Sequence, residues 1–117
     1  MAEFPPRIRE LLQPALDRGG THRMQDIEAG VETGRFQLWV GPHCVGITEI
    51  VDFPLKRVLN IFLVGGDLEQ IKGFQEEVWS WAEAQKCSEM TLSGRPGWSK
   101  ALRDGWEVHD YLMRYKP

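Results

Sequence analysis

One stretch restricts the fold of this chain more than any other. Residues 57–64, RVLNIFLV, are almost continuously apolar and run into the pair Gly65-Gly66. A short apolar run bounded by turn signals suits a strand covered on both faces, in the interior of a sheet. Asp67, with Gln70 three positions later, has the form of a capping box in which Asp replaces Ser or Thr. A helix is therefore predicted from Leu68, carrying Ile71, Phe74, Val78, Trp81, Ala82 and Gln85 on one stripe. Its strong helix formers outweigh the single Gly73.

The other elements follow from local pattern. Pro5 and Pro6 suit a helix start, and Ile8, Leu11, Leu12, Ala15 and Leu16 share one face, with Pro14 as a point of kinking or fraying before Gly19 and Gly20. Thr21 is placed to cap a second helix through Met24, Ile27 and Val31, ended by Gly34 in the left-handed region. Residues 36–40 and 45–52 read as strands around a Gly41-Pro42 turn, and together form a hairpin. A short strand over 89–93, a turn at 94–97, a short helix from Trp98 to Leu102 and a last strand over 106–115 complete the order. Strand–helix–strand units imply parallel pairing at the centre. The expected fold is mixed α/β, a central sheet of five to six strands flanked by helices, with 1–20 as an N-terminal helical segment and 21–117 as a single domain.

Size and charge exclude several functions. A chain of 117 residues holds one core and no second. Its net charge of −3 lacks the basic excess of a protein that tracks nucleic-acid phosphates. No apolar run approaches the roughly 20 residues of a membrane span, and the first residues lack the apolar heart of a signal peptide, so a cytoplasmic location is expected. In that compartment Cys44 and Cys87 are expected as unpaired thiols. His22, His43, Cys44 and Cys87 lack metal-ligand spacing, and neighbouring strand residues such as His43 and Cys44 point to opposite faces, which argues against a nucleophile pair. Five Trp are many for this length, and some are expected to meet a ligand or partner. Trp79, off the apolar stripe of its helix, is a candidate anchor for a partner subunit, or a cover for its own helix flank.

The segments LNIFLVGG before a long helix and ALRDGWEV near the end resemble the GNAT acetyltransferase superfamily over residues 21–117. LWV, VGG, WSWAEAQKC and GRPGW are similar to small GNAT-like proteins of tailed phages and prophages. The resemblance implies acetyl-CoA as cofactor, its pantetheine along the central strand and its pyrophosphate at the following helix N-terminus. The candidate cofactor residues are then Phe62, Leu63, Val64, Gly65, Gly66 and Asp67. The family's Arg/Gln-x-x-Gly-x-Gly/Ala loop is absent, and Asp67 sets a negative charge where a phosphate would arrive. Four residues before Gly105, where the family places a tyrosine acid, stands Ala101.

Any replacement acid or base must come from elsewhere. Ser93 is one candidate acid, a tyrosine of the last strand another, and Glu49, ahead of Glu89, is the candidate base. Arg95, in Gly-Arg-Pro-Gly before a helix, is the polar candidate for a partner or ligand oxyanion, or for anchoring its own loop. Three functions stay open: a GNAT-like protein with a degenerate acetyl-CoA site, an active N-acetyltransferase on an unknown amine, and a non-catalytic phage virion, assembly or host-interaction protein. Oligomerisation is compatible with all three.

Overall fold

In the computed structural model, which describes residues 3–94, 97–102, 105–110 and 112–117, the chain begins with helix α1 (Pro6–Gly19). Proline fits the first helical turn because its missing N–H has no helical partner there. Pro14 leaves the helix unbroken, and Gly20 closes it in the left-handed region at φ 66°, its N–H donating to the Leu16 carbonyl at 2.9 Å. Helix α2 (Met24–Glu32) starts later than expected. Thr21 bonds the neighbouring His22 ring instead of capping, while the Asp26 carboxylate reaches back to accept the Arg23 N–H at 2.8 Å. A carboxylate in the first turn is favoured by the helix dipole, and the Asp26 pKa is held below the usual carboxylate range, chiefly through that backbone bond.

Strands β1 (Phe36–Gly41) and β2 (Cys44–Asp52) form the expected antiparallel hairpin around Pro42 and His43. Strand β3 (Arg57–Gly66) pairs antiparallel with β2 on one side. On its other side it pairs in parallel with β4 (Glu89–Leu92). Between β3 and β4 lie helices α3 (Leu68–Gly73) and α4 (Gln75–Ala84), and α5 (Gly97–Ala101) follows β4. The strand order is β1-β2-β3-β4, so the apolar run 57–64 does occupy the sheet interior.

The architecture is α+β on a four-stranded mixed sheet, not the five to six strands expected. Among the described residues, 105–110 and 112–117 form no strand, although their composition suits one. The long helix is also divided. Phe74 ends α3, with its N–H donating to Ile71 at 3.1 Å, and begins α4 by accepting from Val78 at 2.9 Å. Gly73, the poorest helix former of the stretch, sits at the break, where a three-residue hydrogen bond replaces the helical one.

Helices lie on both faces. On one, Leu12, Ala15 and Leu16 of α1 and Met24 and Ile27 of α2 pack on Phe36, Val45, Ile47 and Leu63. Helix α1 thus packs into the main core. Glu28 is the charged residue within it, accepting the Phe4 N–H with Arg9 Nε at 3.8 Å, and so ties the segment before α1 to α2. On the other face Val78 and Ala82 of α4 cover Leu59 and Cys87. Burying each such aliphatic side chain contributes about 2 kcal/mol. Among the described residues no helix is long and apolar enough to cross a membrane.

Candidate functional site

A break in the β2–β3 ladder creates the site. Ile47 pairs with Leu63 but Thr48 pairs with Ile61, so Phe62 has no residue opposite it: a β-bulge. The extra residue reverses the alternation of β3. Phe62 and Leu63 both join the cluster under α1 and α2, while Ile61 and Val64 both line the opposite face. Pairing with β4 stops at the same point, since Ile61 opposite Leu92 is the last rung. Beyond it, residues 62–66 of β3 have no strand beside them on that side among the described residues, and alternate backbone groups there form an open edge.

Next to this edge is an apolar cleft with a free volume of about 60 Å³. Its floor is Ile61, Val64 and Thr48, its helical wall Ile71, Phe74 and Val78, and its far side Met90 and Leu92. Trp39, Trp98 and Trp106 add three of the five indoles. Trp39 stacks edge-on against Trp81 at 5.9 Å and donates from Nε1 to Thr48 Oγ1 at 2.9 Å. Buried Thr48 in turn donates to Gln37 Oε1 at 2.8 Å, so one wall is fixed by a satisfied polar chain. Trp106 is held at the mouth by Nε1 donating to Gln75 Oε1 at 3.0 Å.

No carboxylate or imidazole lines the cleft among the described residues. Its charged member is Lys72, which faces Glu69 at 3.6 Å. Cys44 also lines it, but burial pushes that thiol up, with the charge of Asp67 adding to the rise and the Gly41 backbone opposing it. Cys87 lies under α4 and is raised by burial against the opposing charge of Arg57. Neither thiol is primed as a nucleophile.

The sequence candidates are dispersed. Glu49 follows Thr48 on β2, so it points to the face opposite the cleft. Glu89 lies on β4 in an ion pair with Lys56. Ser93, exposed beyond the end of β4, does not line the cleft. Trp79 is half-buried against the α4 core cluster. Arg95 lies outside the described residues.

Of the six candidate cofactor residues, Val64 alone lines the cleft. The two glycines answer to neighbouring backbone. A Cβ on Gly65 would meet the α1 main chain at the Leu11 carbonyl, 2.8 Å from its carbon. Gly66, at φ 102°, lies against the His43 carbonyl, with Cys44 Cα 2.8 Å from where a Cβ would stand. Asp67 caps α3, accepting the Gln70 N–H at 3.0 Å, and its own N–H donates to His43 at 2.8 Å. Gln70 Oε1 accepts the His43 N–H at 2.7 Å, which closes this corner on itself.

Sequence reasoning missed the Trp39–Thr48–Gln37 chain, the bulge at Phe62 and the gathering of indoles. The excess of tryptophan was the signal for the last; the bulge had none, because it arises between strands.

No protein-family model matches the chain, and no curated protein matches it either. Its fold is similar to crystal structures of TTHA1254 from Thermus thermophilus. A point mutant gives a TM-score of 0.67 and the wild type 0.65, both at 16% identity over 99% of this chain and 95% of that one. A tetramutant of BH1408 from Bacillus halodurans gives 0.58 at 12% identity, over 92% of each chain. At such identities the likeness carries the fold alone.

Proposed function

We propose that this chain is a GNAT-like domain that binds a pantetheine thioester, such as the acyl end of acetyl-CoA, without supporting efficient acyl transfer. One observation carries this: β3 parts from β4 after Ile61 and Leu92, and opens its edge beside an apolar cleft free of acid–base groups among the described residues. Pantetheine is an extended chain with two amides, so it can bond an unpaired strand edge as another strand would. The cleft exceeds the ~10–15 Å³ that a single water needs and is apolar, which suits a small acyl group.

Binding is not turnover. Transfer to an amine needs a base to take its proton and an acid for the departing thiolate. Glu49, Glu89 and Ser93 lie off the cleft, and Ala101 carries no hydroxyl. At the nucleotide end Asp67 opposes phosphate and already satisfies one of the first amides of α3. The shorter thioester therefore binds nearly as well as the full cofactor.

The test is thermal stabilisation by acetyl-CoA, CoA and S-acetylpantetheine, with thiol release followed over a panel of amines. Stabilisation should grow with ligand, reaching about 2.7 kcal/mol at a hundredfold excess over Kd. Release should not exceed that of the thioester in buffer. Absence of a shift at millimolar ligand refutes binding, and rapid amine-dependent release restores an active N-acetyltransferase. A second function, as a phage virion, assembly or host-directed component, is favoured by the exposed apolar side chains of the final segment. Co-purification with phage particles or a host protein tests it.

A further inference from the structure

The free volume of the cleft is larger than an acetyl group can use. About 60 Å³ is room for roughly four to six water-sized positions, at about 10–15 Å³ each. Acetyl carries one methyl beyond its carbonyl and fills one of them. The remainder would stay void, and the lining would go without its contacts. Aromatic rings border that remainder: Trp39 from β1, Phe74 between α3 and α4, Trp98 from α5, and Trp106. The indoles are also fixed in place. Trp39 is held by Thr48 and Trp106 by Gln75, while Trp98 lies over Gly94, where an added Cβ would stand 2.5 Å from its Cδ1. Gly94 thus leaves the space that the Trp98 ring occupies.

We propose that the cleft selects an aromatic acyl group of about phenylacetyl size over acetyl. This rests on the thioester reading above and names the acyl class. A six-carbon ring fills the void in one piece, and the surrounding indoles meet its faces and edges, which adds to plain burial. The floor also selects against a polar acyl tail. Its hydroxyl, Thr48 Oγ1, already accepts from Trp39 and donates to Gln37, so a polar group placed there would lose water without gaining a partner.

Isothermal titration with a series of S-acyl pantetheines tests this. Burial of the ring should make S-phenylacetylpantetheine bind about fiftyfold more tightly than S-acetylpantetheine. The cyclohexylacetyl ligand, of similar size but without π faces, should fall about threefold short of phenylacetyl. Val64→Phe sets a ring of the chain's own on the cleft floor, and should reduce phenylacetyl binding to about the acetyl level. Ile71→Phe, filling the cleft from the helical wall, should do the same. Equal affinities across the series overturn the proposal and leave thioester binding standing. So does a phenylacetyl preference that survives both substitutions in folded protein. Phenylacetamide, the acyl end without pantetheine, separates the two readings by NMR. If it moves the indole resonances of Trp39, Trp98 and Trp106 while no thioester binds, the aromatic cleft is upheld and the pantetheine reading falls. Silence towards every ligand refutes both.

Discussion

Replacing Gly65 with alanine separates the two roles this glycine can have. If it served only to admit a ligand, the apo protein would tolerate a methyl group. The structure instead sets that methyl against the main chain of α1, 2.8 Å from the Leu11 carbonyl carbon and closer still to its oxygen. Ordinary carbon contacts lie near 3.5–4.0 Å, and backbone cannot rotate aside as a side chain can. Helix α1 must then lift, loosening Leu12 and Leu16 from Ile47 and Leu63. Overpacking of this kind costs about 3 kcal/mol, the upper part of its usual range. For a domain of this size, that lowers Tm by about 12 °C. Thermal and urea melts without ligand read it directly. Gly73→Ala is the internal control: nothing lies within 4 Å of its added methyl, so the substitution should leave stability unchanged or raise it by about 0.5–1 kcal/mol. A Gly65→Ala melt within about 2 °C of the parent, a small fraction of the expected drop, would refute the proposed contact between α1 and β3.

Three further outcomes are expected. Thr48→Val keeps the shape but strands the Trp39 indole N–H and Gln37 Oε1, costing about 2 kcal/mol and shifting tryptophan emission; an unchanged urea midpoint contradicts the polar chain. Burial raises both thiols, so the folded state keeps its protons where the unfolded chain, titrating near about 8.5, begins to lose them. The stability they contribute is intact below that pH and lost as pH climbs through the higher folded values. The urea midpoint should therefore fall less steeply as pH rises above about 8.5 in a Cys44→Ala/Cys87→Ala protein, and an identical slope would contradict the shift. Asp67→Asn retains an oxygen for the Gln70 N–H while removing the charge, so acetyl-CoA should bind about fivefold tighter and S-acetylpantetheine no differently; equal gains for both would misplace the nucleotide end.

What the sequence made legible was local. The run 57–64, the hairpin at 36–52 and the face of α1 each carry their periodicity within a few turns or strand residues, and they fold accordingly. The departures have non-local causes. The bulge at Phe62 depends on how β2 and β3 meet. The cap moved from Thr21 to Arg23 because Asp26 offered a charged acceptor one turn inside. The break at Phe74 reflects Gly73 together with a ring committed to the cleft wall. The alternation over 106–115 has the pattern of a strand, yet the described residues 105–110 and 112–117 form none, because pairing and not composition completes a strand. The candidate site was legible as a place, β3 running into α3, and not as a set of side chains. The glycines there answer to backbone, and the lining is gathered from all four strands and from α3, α4 and α5, which no local motif joins.

The most direct measurement is an amide-proton NMR titration with S-acetylpantetheine. Ligand lying along the open edge of β3 should move the backbone amides of residues 62–66 and the indole resonances of Trp39, Trp98 and Trp106, in one saturable process, while the amides of α2 stay still. Shifts confined to other surfaces, or none at millimolar ligand, would contradict binding at the place where β3 and β4 separate.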